Sequence, residues 1–164
     1  MTKAFSILHF HEIETVERIT EQKVLPIIER YGYELWDVIF EKEGAMWYLK
    51  VLFDKADGGI DDAECEEITE PLNKAVDTLS CIDLVDVFEV GSPGLDRQLR
   101  KPFHFVKMKG EKIKVTVRDE NGKTAYYSGV LGDYDENSGE FTVQTDDGEM
   151  KFNAAKCRRI ALDA

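Results

Sequence analysis

The sequence predicts an α+β chain in two parts: an α-β-β-α-β module over residues 1–91 and a small all-β barrel over residues 101–164, joined by a linker at 92–100. Three observations carry this expectation. In the first half, two stretches space their apolar residues by three and four, and three others alternate apolar with polar side chains. In the second half, short alternating runs are separated by Asn121-Gly122, Asn137-Ser138-Gly139 and Asp147-Gly148, residues suited to tight reversals of the chain. Between the halves stands Ser92-Pro93-Gly94, where the pattern changes.

Taken in order, Ile13, Val16, Ile19, Val24, Ile27, Ile28 and Tyr31 place an amphipathic helix at about 11–31, with Pro26 expected to kink or divide it. Alternation of Trp36, Val38 and Phe40, then of Trp47, Leu49, Val51 and Phe53 after Glu43-Gly44, predicts a two-stranded hairpin. Asp61 three residues before Glu64 offers a capping box, so a second helix is expected at about 62–78, with Pro71 as a kink or a new start. A third strand falls at about 84–90. Beyond a short helical turn near Phe103 to Met108, strands are expected at 111–118, 125–132, 140–145, 149–153 and 157–162. Five strands so short would leave exposed edges unless the sheet closed, which is why a barrel is predicted.

Composition sets the class. Of 164 residues 43% are hydrophobic and 33% charged, with 12 Gly and 4 Pro, a balance that supports packed cores rather than disorder. Apolar runs fall short of the roughly 18 residues a membrane span needs, and the first residues lack the basic-then-apolar order of a leader, so a cytoplasmic protein away from membranes is expected. Cys65, Cys81 and Cys157 are widely spaced and form no C-x-x-C pair, which predicts reduced thiols and no metal site.

The net charge of −12 is unevenly placed: residues 1–92 carry 8 Lys+Arg against 21 Asp+Glu, whereas residues 93–164 carry 13 against 12. Within 94–118, Arg97, Arg100, Lys101, Lys107, Lys109, Lys112, Lys114 and Arg118 face only Asp96 and Glu111. A polyanion meets nucleic acid only through such a local cationic strip. Alternation of Lys107, Lys109, Lys112 and Lys114 also fits an ordinary solvated strand face. Phe103, His104 and Phe105 lie inside the strip, where one ring stacking on a base competes with the commoner role of core packing.

At the boundary runs Glu89-Val90-Gly91-Ser92-Pro93-Gly94-Leu95-Asp96-Arg97-Gln98-Leu99. Ser92 is pushed toward extended geometry by the proline that follows, Pro93 fixes its own φ, and Gly94 is free to take positive φ, which suits a tight turn leaving a strand. Leu95 and Leu99 are expected to pack into the junction, with Asp96 and Arg97 pairing locally or reaching opposite domains. This segment resembles the hallmark V-S-S-P-G-L-D-R-P-L of the RimP family of bacterial ribosome maturation factors, with Gly91 in place of a serine and Gln98 in place of a proline. Similarity extends through Tyr33 to Val38, Leu49 to Asp54, Gly59-Ile60 with Asp62 and Cys65, and Arg158-Arg159-Ile160-Ala161-Leu162.

The resemblance implies an Sm-like (SH3-like) barrel for the second part. It implies a factor that binds the free small ribosomal subunit late in assembly, helps incorporate small-subunit ribosomal protein twelve, and catalyses no reaction. Charge placement then assigns partners: the acidic module to a basic small-subunit ribosomal protein, and Arg97, Arg100, Lys101, Lys107 and Lys109 to ribosomal RNA. The chain is expected to act as a monomer without a cofactor. An alternative is an Sm-like RNA-binding regulator acting outside the ribosome, against which the pI of about 4.7 counts. An enzyme is the third reading. Asp54, Asp57, Asp61, Asp62 and Glu64 miss the calcium-loop spacing and suit turn and cap roles, and His9, His11 and His104 converge on no nucleophile.

Overall fold

The computed structural model describes residues 10–164 and separates into two units, Met1–Pro93 and Gly94–Ala164. His9 and the side chain of His11 lie outside the described residues.

In the first unit, α1 (Phe10–Arg30) runs unbroken through Pro26. Val24 and Ile28, on either side of the proline, are both fully buried, so packing holds the turn where a backbone hydrogen bond is lost. Strands β1 (Glu34–Glu43) and β2 (Met46–Asp54) form an antiparallel hairpin, reversed at Gly44 with φ of 61°. The capping box forms as expected: the Asp61 carboxylate accepts the Glu64 backbone N–H at 2.8 Å, and Glu64 accepts the Asp61 N–H at 3.3 Å, opening α2 (Asp62–Val76). Pro71 lies inside α2 without ending it. A 3-10 turn at Ile82–Leu84 occupies the start of the expected third strand, so β3 (Val87–Gly91) begins later and pairs parallel with β2, giving the order β1-β2-β3. Parallel neighbours need a long crossover, and α2 supplies it. Val38, Phe40, Leu49, Val51 and Phe53 of the hairpin bury against Val16, Val24 and Ile28 of α1 and Ile68, Leu72 and Val76 of α2. Each such side chain contributes about 1.5–3 kcal/mol of transfer free energy.

The second unit opens with α3 (Pro102–Lys107), started by a proline at its first position. Strands β4 (Lys112–Arg118), β5 (Thr124–Tyr134), β6 (Glu140–Thr145), β7 (Gly148–Asn153) and β8 (Arg159–Leu162) follow, in the order β7-β6-β5-β4-β8. Leu99, Phe105, Ile113, Val115, Leu131, Phe141, Val143 and Ile160 fill its core. Two glycines let β5 and β6 approach closely: a Cβ at Gly129 would sit 2.3 Å from the Gln144 carbonyl oxygen, and one at Gly132 would sit 2.3 Å from the Thr142 hydroxyl.

Five strands form where the alternation placed them, but the predicted closed barrel is not found: among the described residues no ladder joins β7 to β8. The free side of β8 is taken by residues 97–99 instead. Gln98 bridges Ala161, the Leu99 N–H donates to the Ile160 carbonyl at 2.8 Å, and the Leu162 N–H donates to the Arg97 carbonyl at 3.0 Å. Part of the segment read as a linker is therefore a strap on the sheet edge, which blunts one edge without closure.

Candidate nucleic-acid interface

The junction motif is built locally. Gly94 has φ of 85°, the left-handed region its missing Cβ permits, and Leu95-Asp96 form the turn that follows. Arg97 closes this turn, its Nε–H donating to the Gly94 carbonyl at 3.2 Å, while the Arg159 guanidinium donates to the Asp96 carbonyl at 3.4 Å. Leu99 is buried in the core of the second unit rather than packed as a junction residue, and Leu95 is 82% exposed. The reason is geometric: Leu95 stands at the tip of the turn, and only after Gln98 pairs with β8 does the next side chain point into the core.

Past the strap, His104 organises the backbone. Its ring is fully buried, and Nδ1 accepts the N–H groups of Arg100 at 2.8 Å and Lys101 at 2.9 Å, two donors that precede the first turn of α3. Phe105 is core, stacked on Tyr134 with ring centroids 4.3 Å apart and tilted against Phe141 at 5.2 Å. Phe103 lies half out, its ring edge-on to His104 at 4.4 Å.

The basic strip is thus distributed over different elements. Arg97 belongs to the strap, Arg100 and Lys101 lead into α3, and Lys107 ends it. Lys109 follows α3 and pairs with Asp133 at 2.6 Å, which holds the Asp133 carboxyl below its ordinary range. Lys107 and Lys109 therefore do not share a strand face with Lys112 and Lys114, because the strand begins only at Lys112.

Register shows which cations do share a face. Ile113 and Val115 point inward, so Lys112, Lys114, Thr116 and Arg118 face outward. Opposite them on β5, Lys112 faces Val130, Lys114 faces Ser128, Thr116 faces Tyr126 and Arg118 faces Thr124; on the other flank Thr116 faces Arg159 of β8. Tyr126 is 66% exposed. Reading the sequence for cationic runs passed over this tyrosine. The available signal was the pair Tyr126-Tyr127 on a strand, where adjacent side chains must take opposite faces.

At the start of α2 one carboxylate of the acidic first unit is paired within the unit. Glu64 receives Lys55 at 2.8 Å and the Tyr33 hydroxyl at 3.3 Å, and the hydrogen bond from Lys55 holds its carboxyl below the ordinary value. Lys55 is correspondingly raised, first by that hydrogen bond to Glu64. Among the described residues no group of three or more His, Cys, Asp or Glu is placed to hold a metal ion. Cys65, Cys81 and Cys157 are free, and burial raises all three thiols, Cys157 to about 11, which keeps them protonated and poorly nucleophilic. Among the described residues no helix is long and apolar enough to cross a membrane.

A helix-backed three-stranded module followed by a five-stranded sheet, with charge of a different balance in each, defines a two-module α+β protein. The family model of the RimP N-terminal domain matches residues 23–96, from within α1 through β3 to the Gly94-Leu95-Asp96 turn. Over those residues the chain is similar to the N-terminal domain of RimP, a match that supports a RimP-family ribosome maturation factor.

Proposed function

We propose that this protein binds the free small ribosomal subunit in the cytoplasm and assists its late assembly, including incorporation of small-subunit ribosomal protein twelve, without catalysing a reaction. The observation that carries this reading is the RimP N-terminal domain over residues 23–96. Charge placement supports a division of labour: the first unit, with 21 Asp+Glu within residues 1–92, suits a basic ribosomal protein, and the second suits ribosomal RNA. The second unit is read as an Sm-like sheet, a reading supported by the return of its last strand, β8, to lie beside its first, β4.

Co-sedimentation of the purified chain with free small subunits and with full ribosomes tests the reading. Selective retention on free small subunits is expected. Charge reversal of Arg97, Arg100 and Lys101 together weakens that retention and its salt dependence, measured as the bound fraction across a salt series. Equal retention on full ribosomes, or none on either particle, would sink the reading.

A further inference from the structure

We infer that the outer face of the second unit's sheet is a binding surface for single-stranded RNA, with Tyr126 as the ring on which a base stacks and Lys114, Arg118 and Arg159 as the groups that meet phosphates. The inference deepens the ribosomal reading above and rests on it for the source of the RNA.

The face is assembled by register alone. Arg159, Thr116 and Tyr126 form one row across β8, β4 and β5. Strands lie about 4.8 Å apart, so the guanidinium-bearing and ring-bearing positions are about 10 Å from one another, two strand spacings. Lys114 and Arg118 are the diagonal neighbours of Tyr126 on β4, within reach of its ring edge. A depression of about 220 Å³ beside the row is lined by Lys114, Thr116 and Arg159 and equally by Asp96 and Asp163. Asp163 is directed toward Lys112 at 4.0 Å, and Asp96 engages Arg159 through its backbone carbonyl.

An aromatic side chain this exposed contributes little to its own fold. Tyr126 points away from the core that Tyr127 joins, and the side chains beside it are hydroxyls and cations. A protein partner is usually met by a larger apolar centre, whereas the β8-β4-β5 part of this face offers one exposed ring, one half-exposed valine (Val130) and positive charge, with the outward carboxylates Glu140 and Glu149 lying farther along it on β6 and β7. On a chain of net charge −12, that local sign favours a polyanion. Stacking on the ring requires a base free of its own helix, which selects single strands, loops or bulges over duplex RNA.

The test uses the full chain and a fluorescent single-stranded RNA oligomer of mixed sequence, read by anisotropy, with co-sedimentation on free small subunits in parallel. Tyr126→Ala is expected to weaken oligomer binding about tenfold while Tyr126→Phe, which keeps the ring, binds as the parent does. Lys114→Glu with Arg159→Glu is expected to flatten the logarithmic salt slope by about 1.4, two single-strand phosphates. Unchanged melting temperatures show that the variants fold. No oligomer binding by the parent chain, or equal binding by the parent, Tyr126→Ala and the charge-reversed variant, overturns the inference. Loss of subunit retention without loss of oligomer binding also overturns it, since the face then meets a ribosomal protein. Oligomer binding that depends on Tyr126 in a chain that ignores small subunits upholds the inference and removes the ribosomal reading.

Discussion

The two units solve the same problem, an exposed sheet edge, by different means. In the first, the free edge of β1 meets α1: the Phe40 N–H donates to the Glu17 carboxylate at 2.9 Å. In the second, the chain doubles back and lays residues 97–99 along β8. A helix that covers an edge also covers a face, so the first unit buries one side of its sheet under α1 and α2. A strap covers only the edge, and the outer face of the second sheet stays open to solvent with Tyr126 upon it. The means of protecting an edge thus decides how much sheet is left for recognition.

Because the two buried clusters share no residue, the comparison predicts separable stabilities. Phe105→Ala removes a fully buried ring and should cost the second unit about 3–5 kcal/mol. Both tryptophans, Trp36 and Trp47, lie in the first unit, so tryptophan fluorescence should report an unchanged melt while circular dichroism shows an earlier transition. One merged shift in both signals would break the comparison. Gly129→Ala should cost about 2 kcal/mol, since the added carbon meets backbone rather than a side chain able to turn away. Its effect should again be confined to the dichroism signal.

A substitution in the other unit sharpens the contrast. Asp61→Ala removes the cap of α2 and should lower the first unit's stability by about 1 kcal/mol, visible in the tryptophan melt alone. The smallest effect concerns pH. Glu64 titrates below its unfolded value in the folded chain, so its contribution is present above the ordinary carboxylate range and is lost as pH falls through the lowered value. Lys55 titrates above its unfolded value, so its contribution is lost as pH rises through the raised one. Glu64→Gln should flatten the acid limb of the tryptophan melting profile measured from neutral to acidic pH.

Element positions were legible because alternation and capping chemistry are local. Asp61 and Glu64 announced α2, and Ile113 and Val115 announced the inward face of β4. Neither Pro26 nor Pro71 divides its helix, because buried neighbours hold the turns around them, a tertiary effect that no local spacing displays. Closure of the second sheet was overestimated for a related reason: the strap's pairing spans from Gln98 to Ala161, and nothing in either segment names its partner. The cationic strip was legible as composition but not as a surface. Lys109 finds Asp133 on a distant strand, while Arg159 joins Lys114 only once β8 is beside β4.

The strap has a consequence for how the protein is made. Among the described strands β8 is translated last, yet both β4 and residues 97–99 wait for its backbone. A nascent chain leaves the exit tunnel with its first module already able to fold, whereas the row containing Tyr126, Thr116 and Arg159 exists only when synthesis has passed residue 162. A chain cut before β8 therefore carries the anionic module without the row of side chains that β8 completes.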